Sequence, residues 1–242
     1  MNIALIGYGR MGKEVERQAT MRGHHITAVF DIQDGFNVDS NCNGAQVLIS
    51  FVSADVVIGN VRTAAQLGLP IVEGTTGWYD RLDEVRQIPN VTVLYSPNFS
   101  IGVYQFTKLA GYAAQLLGKL PEYDCYVHEF HHLGKADSPS GTAKKLAEVL
   151  LEQLPNKQHA QFETSHGAIA PEALHVTSTR VGRVPGTHEI GFDSPADEIV
   201  LKHVAHGREG FALGSVRAAE WLVGKRGIFT MDDFMNDLIS AD

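Results

Sequence analysis

The hydrophobic pattern of the first hundred residues alternates short apolar runs with longer segments whose apolar positions recur at helical spacing. The apolar runs predict five strands, and the segments between them predict three helices. The predicted strands are Ile3–Ile6, Ile26–Phe30, Gln46–Val52, Pro70–Val72 and Val91–Leu94, and the predicted helices are Lys13–Arg22, Asp55–Leu67 and Tyr79–Gln87. Strands that alternate with helices indicate βαβ units, so we expect an α/β domain with a Rossmann-type, doubly wound parallel sheet.

Beyond Asn98 the predicted elements become less regular, and Gly and Pro interrupt the strand-like runs. This pattern predicts a second domain of the α+β class with a mixed sheet. Helical spacing returns near the carboxyl terminus, and we expect those helices to pack on the first domain. The predicted elements are helices at Val103–Leu120, Gly141–Leu154, Val216–Val223 and Met231–Ile239, a strand at Tyr123–Phe130, and strand-like runs within Leu174–Val204. The domains are therefore predicted as 1–101 with 212–242, and 102–211.

Composition and charge restrict the class of protein. The 242 residues include 44% apolar residues and carry a formal net charge of −8, which is typical of a globular protein and argues against a nucleic-acid-binding one. No apolar stretch approaches the roughly 20 residues that cross a bilayer, and the amino-terminal segment lacks the basic region of a signal peptide. Cys42 and Cys125 form neither a CxxC pair nor a disulfide framework. We therefore expect a cytoplasmic protein with no membrane or nucleic-acid partner.

A glycine-rich turn directly follows the first predicted strand and opens the first predicted helix. It reads G-x-G-x-x-G, formed by Gly7, Tyr8, Gly9, Arg10, Met11 and Gly12. In dinucleotide-binding folds the first glycine permits the tight turn, the second lets the backbone approach a pyrophosphate, and the third lets helix and strand pack closely. The amino terminus of the helix then offers free N–H groups to the phosphates. The alternative is a glycine-rich turn in an ordinary βαβ unit.

An acidic residue at the end of the second predicted strand supports the dinucleotide interpretation. Asp31 follows Gly12 by 19 residues, where a carboxylate accepts hydrogen bonds from the adenosine ribose hydroxyls. A carboxylate there repels a 2′-phosphate, so we expect NADH to be used at least as well as NADPH, with Arg10 softening the preference. NADH and NADPH are therefore the predicted cofactors.

Three further loops follow strands of the predicted parallel sheet. Ligands bind such sheets at the carboxyl ends of the strands, so these loops are predicted to contact the cofactor. For the loop that contains Gly74, Thr75 and Thr76, a plain turn rich in Gly and Thr is an equal alternative. The predicted residues are Phe51 and Ser53, then Gly74, Thr75 and Thr76, and then Ser96, Pro97, Asn98 and Phe99.

The segment from Glu129 to Ala143 concentrates histidines and a candidate anion site. Adjacent strand residues point to opposite faces, so His131 and His132 do not chelate one ion. His128 and His132 share a face but have no acidic or cysteine partner at zinc spacing, so no metal is predicted. An exposed loop with solvated histidines remains an alternative.

Anion binding with acid catalysis is the functional interpretation of the same segment. Ser140, Gly141 and Thr142 open a predicted helix, whose first N–H groups bind a carboxylate as readily as a phosphate. Lys135 adds positive charge nearby, and a histidine can donate a proton near neutral pH. Glu129 precedes His131 by two residues and is placed to orient it. These residues suit a small substrate with carboxylates and an atom that must be protonated.

This segment resembles the signature of the dihydrodipicolinate reductase family, E-x-H-H-x-x-K-x-D-A-P-S-G-T-A, with Ser138 in place of the usual Ala. The likeness covers nearly the whole chain. Further motifs that resemble the family in the same order are the turn at Gly7–Gly12, Gly74–Gly77, Asn98–Gly102 and Arg180–His188. The chain departs from many members in its compact cofactor turn and its short stretch around Asn156–Ile169.

The resemblance implies reduction of 4-hydroxy-tetrahydrodipicolinate or dihydrodipicolinate to tetrahydrodipicolinate, in the diaminopimelate route to lysine. It implies that His131 is the acid, that Lys135 assists as proton donor, and that His132 binds substrate. It also implies that Gly141 and Thr142 hold a substrate carboxylate, between two domains that close over the ligand. The second domain would bind the dicarboxylate substrate and form a homotetramer through its sheet.

Two other functions fit parts of the sequence. Another Rossmann dehydrogenase of amino-acid metabolism, acting on aspartate or its semialdehyde, explains the first domain but not the histidine segment. A non-catalytic dinucleotide sensor would need a DNA-binding module, and no basic module is visible.

Overall fold

The computed structural model describes residues 1–33, 35–162 and 164–240. The chain divides into two compact units, Met1–Ile101 with Arg208–Asp242, and Gly102–Gly207. The predicted boundary between 211 and 212 falls inside a helix that begins at Glu209, because the sequence predicted this helix only from Val216 onward. The last two residues of the predicted segment 212–242 lie outside the described residues.

The structure contains strands and helices close to those predicted. The strands are β1 Asn2–Ile6, β2 His25–Phe30, β3 Val47–Ser50, β4 Ile71–Glu73, β5 Thr92–Tyr95, β6 Asp124–His131, β7 His159–Gln161, β8 Ala173–Arg180, β9 Thr187–Asp193, β10 Glu198–Val204 and β11 Gly227–Thr230. The helices are α1 Arg10–Met21, α2 Val57–Gln66, α3 Leu82–Arg86, α4 Ile101–Leu117, α5 Gly141–Leu151, α6 Glu209–Leu222 and α7 Met231–Ser240. Short 3-10 turns precede α2 and α3.

The sheet of the first unit is parallel throughout, with the strand order β11-β5-β4-β3-β1-β2. This confirms the predicted doubly wound, Rossmann-type architecture. The chain places β2 on one side of β1 and β3 on the other, so the order reverses at β1. A crevice that binds ligands forms at such a switch point, beyond the carboxyl ends of the strands. The loops after β1, β3 and β4 all end at this edge.

Apolar side chains on both faces of this sheet form the core of the first unit, as expected for a parallel sheet covered by helices. On one face Leu48 and Ile71 pack with α2, α3 and the buried Trp78. On the other face α6 packs on β3 and β4, and α1 packs on α6. The core therefore holds the carboxyl edge of the sheet rigid.

The second unit has a mixed sheet with the order β10-β9-β6-β8-β7, which confirms the predicted α+β domain. β9 runs antiparallel to β6 and β10, whereas β8 runs parallel to β6 and β7. Helices α4 and α5 cover one face of the sheet. Strand β6 points Cys125, Val127, Glu129 and His131 toward that face, so its apolar alternation ends in two chemically active residues.

Two strands were missed in the sequence, and one helix is longer than predicted. β7 and β11 are short edge strands without fully buried side chains, so they lack the apolar run that predicts a strand. Helix α6 begins at Glu209, seven residues before the predicted Val216. In the described part of the chain, no helix is both long enough and apolar enough to span a membrane.

Candidate functional site

Three of the predicted cofactor loops line one cavity in the first unit. The cavity has a volume of about 560 Å³ and lies at the carboxyl ends of β1, β3 and β4. The predicted residues that line it are Gly9, Arg10, Met11, Phe51, Ser53, Gly74, Thr75 and Thr76, and they are joined by Val52, Ala54 and Arg208. The structure therefore brings together residues that lie far apart in the sequence.

The glycines of the first loop leave room for a pyrophosphate. A Cβ on Gly7, whose φ is +86°, would overlap the Phe51 carbonyl, and a Cβ on Gly12 would overlap the Gly7 carbonyl. A Cβ on Gly9 would meet nothing within 4 Å, so this residue faces open space. Gly9 is the N-cap of α1, and no side chain caps the helix. The free N–H groups therefore fit a phosphate-bearing cofactor.

The predicted ribose ligand lies at the exposed end of β2. The Asp31 carboxylate accepts a hydrogen bond of 2.9 Å from the Ile32 N–H, and the Ile32 side chain is 99% exposed. Among the described residues no cation pairs with Asp31. The Tyr8 phenol donates a hydrogen bond to Glu16, which raises the pKa of Tyr8.

The loop after β5 has a different environment from the other three. The Ser96 hydroxyl donates to the Asn98 carbonyl over 2.8 Å, and the Asn98 carboxamide accepts from the Ser100 N–H. Phe99 is 2% exposed, and its carbonyl lies against Gly214 of α6. The side chain of Phe99 therefore belongs to the core, and Ser96, Pro97, Asn98 and Phe99 do not line the cavity. Their contact with a cofactor stays a prediction.

A buried carboxylate organises the second unit. Glu129 of β6 lies in register with Ser178 of β8 and His188 of β9. Its Oε1 accepts hydrogen bonds from the Ser140 N–H at 2.9 Å, the Ser178 hydroxyl at 2.8 Å and Arg180 Nη2 at 3.0 Å. Its Oε2 accepts from the Ser140 hydroxyl. Glu129 is completely buried, so these donors replace water for the charge.

Two histidines face the same carboxylate. His131 Nδ1 lies 3.3 Å and His188 Nε2 lies 3.4 Å from Glu129 Oε2. Burial alone would raise the pKa of Glu129, but the two imidazoles and Ser140 outweigh burial and hold the pKa far below its ordinary value. Glu129 is therefore a permanent negative charge beside two imidazole rings.

His131 is held in one orientation by its surroundings. It is 7% exposed, and its ring meets the His188 ring edge-to-face with centroids 5.2 Å apart. A Cβ on Gly186 would lie 3.1 Å from His131 Nε2, so a larger residue there would crowd this nitrogen. The His131 carbonyl also accepts a hydrogen bond from Val181.

Lys135 and His132 lie in the loop that follows β6. Lys135 Nζ pairs with the Asp137 carboxylate at 2.7 Å, and this hydrogen bond lowers the pKa of Asp137. His132 is half-buried, and its carbonyl accepts from the Lys135 N–H at 3.1 Å. Both side chains thus reach the surface of the second unit, unlike His131.

The start of α5 contains the predicted anion site. The Ser140 hydroxyl accepts a hydrogen bond from the Ala143 N–H at 3.1 Å, and Ser140 is 2% exposed. Ser140 is therefore the N-cap of α5 and a hydrogen-bond partner of Glu129, and its contact with a substrate stays a prediction. Gly141 is exposed, and a Cβ there would meet nothing within 4 Å. The helix start is open at Gly141 and Thr142.

Comparisons with known proteins identify the family to which the chain is similar. Family models described as dihydrodipicolinate reductase match residues 1–99 for the N-terminus and 102–235 for the C-terminus. The chain is 40% identical over 242 residues to 4-hydroxy-tetrahydrodipicolinate reductase of Christiangramia forsetii, covering 98% of this chain and 99% of that protein. It is 38% identical to the reductase of the same description from Archaeoglobus fulgidus, covering 97% and 100%. The chain belongs to the dihydrodipicolinate reductase family.

Solved structures share the fold of this family member. The dipicolinate-bound dihydrodipicolinate reductase of a Paenisporosarcina species has a TM-score of 0.73 at 22% identity, covering 96% of this chain and 98% of that chain. Aspartate semialdehyde dehydrogenase II of Vibrio cholerae has a TM-score of 0.53 at 12% identity, covering 92% and 98%. The two-domain reductase fold predicted from the family resemblance is confirmed.

Sequence reasoning assigned no role to several residues that the structure places at the two sites. Ser178, Arg180 and His188 reach Glu129 only because β8 and β9 pair with β6 in one register. The alternation within each strand identifies its inward face, but no local signal identifies the partner strand. Arg208 lines the cofactor cavity from a segment more than a hundred residues away.

The buried cluster has the residue types of a metal site. Potential ligand atoms of Glu129, His131 and His188 lie within 4.8 Å of one another. However, both oxygens of Glu129 already accept hydrogen bonds, and the guanidinium of Arg180 lies 3.0 Å from one of them. A dication would have to displace these donors and approach a cation. The arrangement therefore favours proton chemistry at the imidazoles.

Proposed function

We propose that the protein reduces 4-hydroxy-tetrahydrodipicolinate, or the dihydrodipicolinate derived from it, to tetrahydrodipicolinate with a reduced pyridine nucleotide. The observation that carries this proposal is the buried His131–Glu129 pair in the same unit as the open amino terminus of α5. An imidazole paired with a carboxylate suits proton donation, and a free helix start suits a substrate carboxylate. Relatives of this description that align over nearly the full chain support the same reaction.

In the second unit, different residues donate the proton and bind the substrate. His131 donates the proton that completes the reduction, and Glu129 and His188 hold its ring in place. The N–H groups of Gly141 and Thr142 bind a carboxylate, aided by the charge on Lys135 and by His132. Ser140 supports Glu129 and α5 through its hydrogen bonds, and its predicted contact with substrate stays a prediction.

In this proposal the first unit binds NADH at least as well as NADPH. The cofactor, when bound, supplies the hydride. The α1 start and the loops at Phe51–Ser53 and Gly74–Thr76 enclose it, with Arg208 adding positive charge for its phosphates. Asp31 accepts hydrogen bonds from the ribose hydroxyls and repels a 2′-phosphate, and no cation offsets it among the described residues.

A coupled assay tests the reaction. A coupling enzyme generates the substrate in the assay, and loss of nicotinamide absorbance is followed with each cofactor. We expect turnover with both and a kcat/KM for NADH at least equal to that for NADPH. Absence of turnover would contradict the proposed reaction, whereas a preference for NADPH above about tenfold would contradict only the role of Asp31.

We also propose that the protein is a homotetramer built through the sheet of the second unit. Helices α4 and α5 cover one face of this sheet, whereas Val200 and Val204 on β10 are about half exposed. Light scattering at micromolar concentration should report four copies. A monomer would contradict this part of the proposal.

A further inference from the structure

A carboxyl group is buried in the middle of the cofactor-binding sheet. Glu73 is the last residue of β4, in register with Ser50 of β3 and Tyr95 of β5, and it is 0% exposed. Acidic side chains are almost never fully buried without a cation partner. In the described part of the chain, Glu73 makes no ion pair. Charge pairing therefore does not explain why Glu73 is buried.

Glu73 holds the loop that lines the cofactor cavity. Its Oε1 accepts a hydrogen bond from the Thr75 N–H at 2.8 Å. The Thr75 hydroxyl in turn accepts from the Val52 N–H at 3.1 Å, which ties the loop after β4 to the loop after β3. The Thr75 carbonyl accepts from Trp78 Nε1 at 2.9 Å and from the Tyr79 hydroxyl at 3.3 Å. Thr75 is thus held at every polar atom, and Glu73 supplies the contact to its N–H.

Among the described residues, no cation pairs with the second carboxyl oxygen of Glu73. Glu73 Oε2 and the Ser50 hydroxyl are both buried, and neither has a hydrogen-bond partner of normal geometry among the described residues. A hydrogen bond between them would satisfy both groups in either protonation state, but a carboxylate there would be a buried charge with no cation to compensate it among the described residues. The titratable groups near Glu73 are the phenols of Tyr79 and Tyr95, which offer no positive charge. Burial raises the pKa of Glu73 to about 7, against opposing interactions with Thr75 and Ser50 that favour the ionised form.

We propose that Glu73, as a neutral carboxylic acid, is a positioning residue that fixes Thr75 and so shapes the Gly74–Thr76 loop for the pyridine nucleotide. Ionisation of Glu73 places a charge in the sheet and loosens this loop. Affinity for the cofactor therefore falls as the pH rises through neutrality. This inference rests on the proposed cofactor of the first unit and adds the residue that controls its loop.

The test measures NADH binding directly. The Kd for NADH is determined by fluorescence titration from pH 5.5 to 8.5 for the wild type, Glu73→Gln and Glu73→Met. Gln keeps the acceptor and supplies a permanent donor toward Ser50, so Glu73→Gln should bind like the wild type at pH 6 and show a flat profile. The wild-type Kd should rise about tenfold between pH 6 and 8 if only the neutral form binds well. Glu73→Met removes the hydrogen bond to Thr75 and should weaken binding at every pH.

A matched control separates this effect from a general change in surface charge. Glu84→Gln removes an exposed carboxylate of α3 that pairs with Arg81, and it should keep the wild-type pH profile. Equal pH profiles for the wild type and Glu73→Gln would overturn the proposal, even if Glu73→Met fails to fold. Absence of NADH binding by the wild type at every pH would instead refute the cofactor assignment, which makes the two failures distinguishable.

Discussion

Replacing Glu129 by Gln removes the charge at the centre of the second unit while nearly preserving its shape. The carboxylate accepts four hydrogen bonds, from Ser140 N–H and hydroxyl, Ser178 and Arg180. An amide keeps one acceptor oxygen and replaces the other with an NH₂ donor. At least one of these donors then loses its acceptor, and the guanidinium of Arg180 loses its counter-charge.

The size of the effect follows from burial. Removing one partner of a buried ion pair costs about 3–5 kcal/mol. The Arg180 side chain is 17% exposed, so water screens part of its charge. We therefore expect the loss in the free energy of unfolding near the lower end of this range, about 3 kcal/mol. A domain is stable by about 5–15 kcal/mol, so Glu129→Gln should still fold at 25 °C.

Urea denaturation at pH 7 measures this difference in the free energy of unfolding. Ser178→Ala is the control, since it removes one hydroxyl donor and should cost only about 1–2 kcal/mol. A loss below about 1 kcal/mol for Glu129→Gln would refute the argument, because it would mean that the charge is solvated.

The pH dependence has a definite sign. The folded state holds the pKa of Glu129 below its ordinary value, so the group contributes stability above the unfolded-state pKa of about 4.5, and this contribution is lost as the pH falls below that value. The difference between wild type and Glu129→Gln should therefore shrink in acid. A difference that grows as the pH is lowered would contradict this assignment.

Three other predictions follow from the sites. His131→Gln should lower kcat by about 10²–10⁴-fold with an unchanged Kd for NADH, whereas His132→Gln should mainly raise KM. If His131→Gln retains half of the wild-type kcat, His131 is not the acid. Lys135→Ala should weaken the affinity for pyridine-2,6-dicarboxylate severalfold by calorimetry, whereas substitution of the exposed Lys145 on α5 by Ala should not. Equal affinities of the wild type and Lys135→Ala would argue against the anion site. Gly12→Ala places a Cβ against the Gly7 carbonyl, so NADH binding should weaken at least about tenfold, and an unaltered Kd would show that α1 can move away.

Local patterns were sufficient for the order of elements and for the chemistry of two segments. The strand, glycine turn and helix at 3–22 follow from a short apolar run, residues that tolerate positive φ, and helical spacing, all of which act over a few residues. The same holds for the segment from Glu129 to Thr142, where alternation on β6 places Glu129 and His131 on one face. Such features depend on neighbours along the chain, so the sequence alone determined them.

Contacts between distant segments were decided only by the tertiary structure. Strand pairing in one register brings Ser178 and His188 to Glu129, and a shift of one residue would turn both side chains to the other face. Ser140 was predicted to bind substrate, and only the folded structure shows that its hydroxyl and N–H also donate hydrogen bonds to the buried carboxylate beside it. In the sequence, Glu73 is an ordinary polar residue that follows a short apolar run. Only the pairing of β4 with strands on both sides shows that it is buried. Burial and register are properties of the packed sheet, and for that reason they decide which of the predicted polar groups remain available for chemistry.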